Sequence, residues 1–494
     1  MKSKNCIIIG AGIGGICTAI HLAREGMHVT IVEKNAHPGG RCDHFSRDGH
    51  TFDIGPTLLV MRKLYEEEFF ELGVSMSEIL DLQRVDPTYH LYFDDGSQLE
   101  LTSDKKAMQH QLDAIEPGGF HGYEQYMAEG KRHYQIGMKK LVRRDFRKIT
   151  DFFSISNAPL LFQVKPLVNH YRNMSNYFTD SRLKSAFTFQ DMYMGLSPFE
   201  APATFSLMPY TELEHGVWYP KGGMYSITET LAELARQAGV EFIFNANVEQ
   251  IEIIGGMAQG VRLESGEHLK SDILVANADL PYVYQNLLPP DGMAKRLAKK
   301  HYSCSVLSFF WGLDKPFPSI PPHALFLSED YQGTFESIIN DLGMPTNPSV
   351  YFHAPTRLDP SMAPEGQDTL ISVVPIGHLS GENDQDWETF KNLARTNIFD
   401  KARRFGITDL QDHIKFETVF TPLTWQRRYN LVKGSTHGLS HHLTQMAYFR
   451  PSNRHARFHN IYFVGASTRP GTGLPTAMVS GRLTAQRIIE ESLN

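Results

Sequence analysis

The feature that most restricts this chain is its first 33 residues. Cys6-Ile-Ile-Ile9 is a β-branched run of the kind that fills a buried parallel strand. It leads directly into Gly10-Ala-Gly12-Ile-Gly14-Gly15, after which Ile16 to Arg24 reads as a helix stopped by Gly26. His28-Val-Thr-Ile-Val-Glu33 reads as a second strand with an acid at its carboxyl end. Strand, glycine turn, helix, strand and acid make one βαβ unit, which commits this part of the chain to a parallel sheet with helices packed on it. A bare G-x-G-x-x-G is also a common turn that binds nothing. Here it follows a strand and opens a helix, and Glu33 lies 18 residues beyond Gly15, where a ribose-binding acid belongs. Gly12 lets a pyrophosphate approach the backbone, and the helix N-terminus offers unpaired N–H groups and about half a positive charge. The unit reads as a dinucleotide site.

The next segment separates flavin from nicotinamide. Gly39-Gly40-Arg41 follows the second strand, and Asp53-Ile-Gly55-Pro56-Thr57 comes soon after. A nicotinamide dehydrogenase needs only another βαβ repeat here, whereas this chain supplies a second small-residue loop and an arginine suited to phosphate. Taken alone, that pattern is equally a surface turn with a solvated arginine. Further on, Pro220-Lys-Gly-Gly-Met224 precedes a helix with the capping-box pattern Ser226-x-x-Glu229, ending at Gly239. Glu241 to Val248, Gly260-Val-Arg-Leu-Glu264 and Asp272-Ile-Leu-Val-Ala276-Asn277 read as a small antiparallel meander between parallel units. Residues 303–313 and 369–376 are further β-rich runs. Near the C-terminus, a strand over Asn460–Val464, a glycine loop from Gly465 to Pro475 and a helix from Thr476 to Glu491 again aim backbone donors at a ligand.

Composition narrows the function classes. The 494 residues allow two or three domains, and 41% apolar with 21% charged residues describes an ordered chain. A net charge of −7 argues against a general nucleic-acid binder. The four cysteines, Cys6, Cys17, Cys42 and Cys304, show no C-x-x-C spacing and no disulfide framework. No uninterrupted apolar run reaches the roughly 18 residues of a membrane-spanning helix. The expectation is a soluble or membrane-surface protein of the cytoplasm. There is no HExxH, Cys/His cluster, Walker loop or recognisable hydrolase triad. His441-His442 is the most metal-like pair, but strand neighbours point to opposite faces, so no metal is expected.

Several longer segments carry a resemblance nearly from end to end. They are IIGAGIGGICTAIHLAREG at 8–26, NAHPGGRCDHFSRDGHTFDIGPT at 35–57, HGVWYPKGGM at 215–224, SDILVANAD at 271–279, LTQMAYFRPSNR at 443–454 and NIYFVGASTRPGTGLPTAMVSGRLTA at 460–485. With these the chain resembles bacterial-type phytoene desaturases, FAD-dependent carotenoid desaturases that share a fold with the amine oxidases. The first and last segments are general to that flavoprotein group, while LTQ…FRP.NR and GxGLP mark its carotenoid-type members. The resemblance implies that Gly10, Gly12, Gly15 and Glu33 hold the ADP half of FAD. It places Gly39, Gly40 and Arg41 at pyrophosphate and ribitol, Gly55 and Pro56 near the isoalloxazine ring, and Val248 at the adenine. Asn277, Gly465, Gly473, Leu474, Pro475 and Met478 complete the set, the last group on the flavin's pyrimidine side. Two positions depart from the family pattern: Thr468-Arg469-Pro-Gly replaces the frequent Thr-His-Pro-Gly, and Leu58 to Tyr65 differs from the acidic, small-residue version.

The implied fold class is α/β. A discontinuous Rossmann-like FAD domain with an antiparallel meander takes in 1–75, 215–300 and 455–494, a β-sheet substrate domain 76–130 and 301–454, and a helical, basic, membrane-associating part 131–214. The implied reaction is desaturation of a phytoene-type polyene dissolved in the membrane, with a quinone or dioxygen left open as the final electron acceptor. A carotenoid isomerase or polyene saturase uses the same cofactor, and an escort protein that binds prenyl groups uses a similar fold without catalysis. An amine oxidase has no reason to carry the LTQ…FRP signature. For the proton step, Asp180 in Tyr177-Phe-Thr-Asp180-Ser-Arg182-Leu183 is the best-placed acid, with Arg182 beside it. The same spacing also reads as a helix N-cap or an ion pair, which is the preferred reading. Residues 131–172 carry ten positive and two negative side chains, net +8, interleaved with Leu141, Val142, Phe146, Phe152, Phe153, Leu160, Leu161 and Phe162. That mixture fits an interfacial element, placing the protein peripherally on the inner face of the membrane.

Overall fold

Strand Asn5–Ile9 sits in the middle of a five-stranded sheet ordered Ile461–Phe463, Ile273–Ala276, Asn5–Ile9, His28–Val32 and Glu241–Ile243. All its pairings are parallel, with Ile7 opposite Thr30 on one side and Leu274 on the other. A computed structural model describes residues 4–152, 163–381, 385–404 and 406–493 of the chain. Alternate residues of the central strand serve different layers, as the pleat requires. Cys6 and Ile8 face the core shared by helix Ile13–Arg24, helix Tyr225–Gln237 and the final helix Leu474–Leu493. Ile7 and Ile9 face the core under the antiparallel meander Val248–Ile254, Met257–Leu263 and His268–Lys270.

Two boundaries differ from the sequence expectation. The single run Glu241–Val248 divides, because Asn245 turns to φ +54 and the Asn245 and Ala246 N–H groups bond back to Asn35 and Glu33. Glu241–Ile243 therefore closes the parallel sheet, and Val248 opens the meander. Residues 273–276 also belong to the parallel sheet, and His268–Lys270 supplies the third meander strand instead. Four consecutive buried residues, Ile273–Ala276, suit a strand covered on both faces.

A second sheet of seven strands runs Ile414–Phe420, Ser305–Leu313, Asp368–Ile376, Val350–His353, His323–Leu327, Tyr89–Phe93 and Gln98–Leu101. Its neighbours are antiparallel except His323–Leu327 with Tyr89–Phe93. Helices Lys105–Ile115, Gly119–Gly137, Ser181–Ala186 and Leu207–His215 cover the Tyr89 end of this sheet, burying Tyr126, Phe178 and Phe187 against Leu91 and Leu325. Among the described residues no helix is long and apolar enough to cross a membrane.

The capping box expected at Ser226 and Glu229 does not form. The helix begins at Tyr225, and the Ser226 hydroxyl bonds to the Gly223 carbonyl. Its first donors go to a remote acid instead: Asp53 accepts from the Met224 and Tyr225 N–H groups at 2.9 and 3.1 Å, and from the Tyr219 hydroxyl at 2.9 Å. Asp53 is buried, and burial pushes its carboxyl up to about 6 against three hydrogen bonds that pull it down. This acid ties the Gly55-Pro56 loop to the 215–224 segment. Asp53→Ala leaves three buried donors without a partner and is expected to lower stability by about 2–4 kcal/mol, read as a shifted urea midpoint. The raised carboxyl disfavours the ionised folded form, so this group's contribution falls as pH rises from about 4 to 6. Asp53→Asn should flatten that part of the stability–pH curve; an unchanged slope would assign it to other groups.

Candidate active site

The glycine loops, the start of the meander and the turn before the last helix converge on one cavity. Its polar limb is lined by Gly10, Gly12, Glu33, Gly39, Gly40, Arg41, Gly55, Pro56, Val248, Asn277, Gly465, Gly473, Leu474 and Pro475. Glu33 ends the second strand, buried, with Oε2 accepting from the Ala11 N–H and Oε1 from the Asn35 N–H, both at 2.8 Å. Burial raises its carboxyl, those two bonds lower it, and each oxygen keeps a lone pair for a ribose hydroxyl. Helix Ile13–Arg24 has Gly12 as its N-cap with no side-chain cap, so first-turn N–H groups face the cavity for an anion. Arg41 donates to the Thr436 carbonyl at 2.9 Å; burial lowers its pKa and Asp279 opposes this. Asp279 is itself held by Ser467 Oγ at 2.7 Å and by the Val432 N–H at 3.2 Å.

Four expected site residues do not line this cavity. Gly15 lies behind it: a Cβ there would stand 2.6 Å from the Gly10 carbonyl oxygen, so its role is to let the helix pack on the strand rather than to touch a ligand. Met478 is buried in the helix–sheet core, and Thr476 and Ala477 reach the cavity in its place. Asp180 caps helix Ser181–Ala186 by accepting from the Arg182 N–H at 2.8 Å, and its carboxylate pairs with the Arg182 guanidinium at 2.6 Å. Arg182 also reaches Asp95 at 2.8 Å, and its hydrogen bond to Asp180 holds that carboxyl below the usual range. Asp180 is therefore held as a helix cap and ion-pair partner, off the cavity wall.

Beyond the Gly55-Pro56 loop the cavity changes character. Its second limb is walled by Tyr89, Phe189, Met192, Tyr193, Leu325, Leu327, Tyr331, Phe335, Ile338 and Tyr351. All charged lining residues, Glu33, Lys34, Arg41, Asp53, Asp279 and Arg428, belong to the other limb. The residues fit FAD on their own chemistry: a two-glycine cradle at Gly12 and Gly40, an acid for ribose, an arginine and a bare helix terminus for phosphate, and in the wall a buried His441 Nδ1 without a partner among the described residues.

Comparison with known proteins agrees with this geometry. Residues 13–489 match the family described as flavin containing amine oxidoreductase. The chain is 41% identical to a phytoene desaturase of Fusarium fujikuroi, covering 99% of this chain and 90% of that one. It is 40% identical to a zeta-carotene-forming phytoene desaturase of Myxococcus xanthus, covering 99% and 94%. The chain belongs to the carotenoid-desaturase group of flavin-containing amine oxidoreductases. It is an FAD-dependent oxidoreductase. Among solved structures, putrescine oxidase bound to putrescine superposes with a TM-score of 0.64 at 13% identity, covering 99% of both chains, which is a likeness of fold.

In this family member the LTQ…FRP.NR signature turns out to be an internal clamp. Arg450, fully buried, donates to the carbonyls of Leu439, Ser440, Gln445, Ala466 and Thr468. Gln445 ties down residues 301 and 440, and the Asn453 amide donates to the Arg469 carbonyl, Ser480 Oγ and Thr484 Oγ1. Together they fix the 465–476 turn on which the flavin's pyrimidine side is expected. Arg469, the family departure, is buried and donates to the Phe146 and Tyr448 carbonyls, joining that turn to the basic segment. His441 and His442 diverge without forming a strand: His441 lines the cavity, and His442 caps Thr444. One grouping among the described residues has metal-like spacing, His37, Asp43 and His44, but Arg428 and Tyr429 already bond to Asp43 Oδ2 at 2.7 Å. A second cation there meets the guanidinium's charge.

A Cβ on Gly12 would sit 2.9 Å from Asn277 Nδ2, on the path by which a phosphate reaches the helix N-terminus. Gly12→Val is therefore expected to give folded, colourless protein, checked by the flavin absorbance after desalting alongside circular dichroism. Stoichiometric flavin in that variant would remove Gly12 from the cofactor site.

Proposed function

We propose that this enzyme desaturates a phytoene-type polyene drawn directly from a membrane. The observation that carries the proposal is the uncharged second limb, continuous with the flavin site and walled by aromatic and aliphatic side chains. A hydrocarbon needs only apolar surface and exclusion of water, and this limb supplies both. When bound, FAD supplies the hydride acceptor. The chain's residues position the polyene and keep water out: Leu58 and Val60 border the cavity near the Gly55-Pro56 loop, and the Thr57 hydroxyl bonds to Tyr351 Oη at 2.8 Å. The phytoene desaturases and the 4,4'-diapophytoene desaturase of Staphylococcus haemolyticus, 32% identical over 98% of both chains, support the same substrate class. Anaerobic mixing of oxidised enzyme with phytoene in liposomes should bleach the flavin and lengthen the conjugated system. Cis–trans conversion with no added double bond would move the enzyme to the isomerase class.

The path into the limb supports membrane docking. Met138, Leu141, Val142, Leu207, Met208, Met446 and Ala447 line the cavity beside the basic segment. In and beside the basic segment, Ile149, Leu167 and Phe449 are 54%, 87% and 47% exposed. Phe153, Leu160, Leu161 and Phe162 of the expected apolar set lie outside the described residues. A forty-carbon chain at about 0.8 kcal/mol per buried CH₂ loses tens of kcal/mol on entering water, so it has to pass from bilayer to enzyme directly. Part of the +8 charge is neutralised by acids outside the segment: Arg143 pairs with Glu67, Arg147 with Glu490, and Lys165 with Glu129. Lys131, Arg132 and Lys139 are exposed along the same helix and its extension. At about 1 kcal/mol per residue near an anionic leaflet, changing all three to Glu should weaken liposome binding at least roughly 100-fold. Flotation with phosphatidylserine vesicles measures this, with FAD content as control; flotation equal to the parent would put the docking surface elsewhere.

A further inference from the structure

Oxidising a CH₂–CH₂ unit to CH=CH removes a hydride, which FAD accepts when bound, and a proton, which the protein has to take in a limb that excludes water. Asp180 is off the cavity wall, and among the described residues no charged side chain lines the limb, so the acceptor has to be reached through a neutral wall residue. Thr57 and Tyr351 are such residues. Both line the cavity, Thr57 directly follows the Gly55-Pro56 loop, and their hydroxyls lie 2.8 Å apart. From Tyr351 the contacts continue inward: its Oη lies 2.7 Å from His323 Nδ1.

His323 itself does not line the cavity. It opens strand His323–Leu327, directly across the ladder from His353 of Val350–His353, and both imidazoles are buried. Their rings are parallel with centroids 4.7 Å apart, and Tyr351, two residues before His353, stands on the same face of the sheet. His353 Nδ1 lies 2.9 Å from the Pro322 carbonyl, which can only accept, so that ring carries a hydrogen there. His323 has no such anchor. Among the described residues its side chain has Tyr351 as its one hydrogen-bond partner, and its Nε2 is buried without any. A buried imidazole held at one nitrogen by a phenol alone is costly and calls for a role. We propose that Thr57, Tyr351 and His323 form a chain that takes the proton lost from the polyene, with Thr57 as the group in contact with substrate. This rests on the desaturase reading of the cavity.

The proposal fixes the polarity of both bonds. Thr57 donates to Tyr351 Oη, and Tyr351 donates to His323 Nδ1, so the neutral His323 ring carries its hydrogen on Nε2 and Thr57 Oγ1 keeps a lone pair for the substrate. Loss of hydride from an allylic carbon leaves a delocalised cation. Its neighbouring C–H is acidic enough for a hydroxyl oxygen to accept the proton, provided the hydroxyl passes its own on. As that C–H bond breaks and its electron pair forms the C=C bond, Thr57 takes the substrate proton and gives its own to Tyr351, which gives its own to His323. Both hydroxyls end neutral. His323 ends as imidazolium, offsetting the negative charge that the hydride brings to the flavin, with the Tyr89 ring centroid 5.8 Å away, within reach of a cation–π contact. The stored proton returns along the same chain once the product has left.

Burial, with His353 and His90 adding to it, holds His323 well below the usual histidine range, so it is neutral before the reaction and gives the proton up readily afterwards. The ionisable groups around it are Tyr351 and His353 on the neighbouring strand, and Tyr89 and His90 on Tyr89–Phe93. Burial raises both phenols and lowers both imidazoles, and His90 is paired with Glu100 at 3.3 Å.

The test uses FAD-loaded enzyme and saturating phytoene in liposomes under anaerobic single-turnover conditions, with formation of the longer conjugated system as the readout. Thr57→Val, Tyr351→Phe and His323→Gln should each slow it roughly 100-fold in FAD-replete fractions. Thr57→Ser, which restores the hydroxyl, should recover most of the loss seen in Thr57→Val. Independently of turnover, the histidine nitrogen NMR resonances of the oxidised holoenzyme, with His323 identified by its loss in His323→Gln, should show a hydrogen on Nε2 and none on Nδ1. Parent-like rates in Thr57→Val or Tyr351→Phe would overturn the chain, as would a hydrogen on His323 Nδ1, because that nitrogen then has no lone pair for the Tyr351 proton. Equal slowing in Thr57→Ser and Thr57→Val marks a packing role and overturns it too. If the parent itself forms no product while His323 shows the expected tautomer, the substrate reading fails and the hydrogen-bonded chain stands.

Discussion

Strand Asn5–Ile9 hydrogen-bonds on both edges, to His28–Val32 and to Ile273–Ala276, and the cavity exists only if both ladders are in register. Its last residue delivers Gly10 between Val32, whose carbonyl accepts the Gly10 N–H, and Asn277, whose amide donates to the Gly10 carbonyl. A slip of one residue on either side would turn Ile7 and Ile9 to the wrong layer and move Glu33 or Asn277 off the cavity. The same registry brings Ile461–Phe463 alongside residues 274–276, a pairing across 187 residues of sequence that positions the closing turn. Non-local pairing of this kind is slow to form but self-consistent once made, since the loops after Ile9, Val32, Ala276 and Phe463 all leave the carboxyl ends of strands in one parallel sheet.

What was legible in the sequence follows from how local each signal is. The βαβ unit could be read because its glycines, helix and acid lie within 33 residues and each has a local physical cause. Gly15 and Met478 look like ligand contacts in the motif, yet they work one layer back, and no spacing rule separates a residue touching a ligand from one touching the residue that does. The capping box at Ser226 fitted the local pattern, but the helix starts one residue earlier, where the carboxylate of Asp53, 171 residues away, takes the Met224 and Tyr225 N–H groups. A remote acid outcompetes a hydroxyl wherever tertiary packing delivers it. The LTQ…FRP.NR signature was recognisable as a family mark, but its function as a clamp depends on carbonyls from 439–445 and 466–468 that only the folded chain brings together.

The buried polar groups sort into two kinds, and the difference bears on chemistry. Arg450 has its donors matched to backbone carbonyls, and although burial pulls it down to about 9 it remains charged and immobile. His170 and Asp191 satisfy each other behind Tyr126, and Glu68 receives Arg482 across two helices at 2.9 Å. Groups satisfied this completely have no reason to change state during a reaction, because any proton they gain or lose breaks a bond that burial makes expensive to replace. Glu212 is different. It has one matched oxygen and one without a partner among the described residues. An enzyme that handles a hydrocarbon cannot place charge against its substrate without hydrating the site, so the proton acceptor has to sit behind neutral groups. The phenols of the limb, Tyr89, Tyr193, Tyr331 and Tyr351, suit that requirement: burial raises each of them, so they stay neutral while presenting aromatic faces to the polyene.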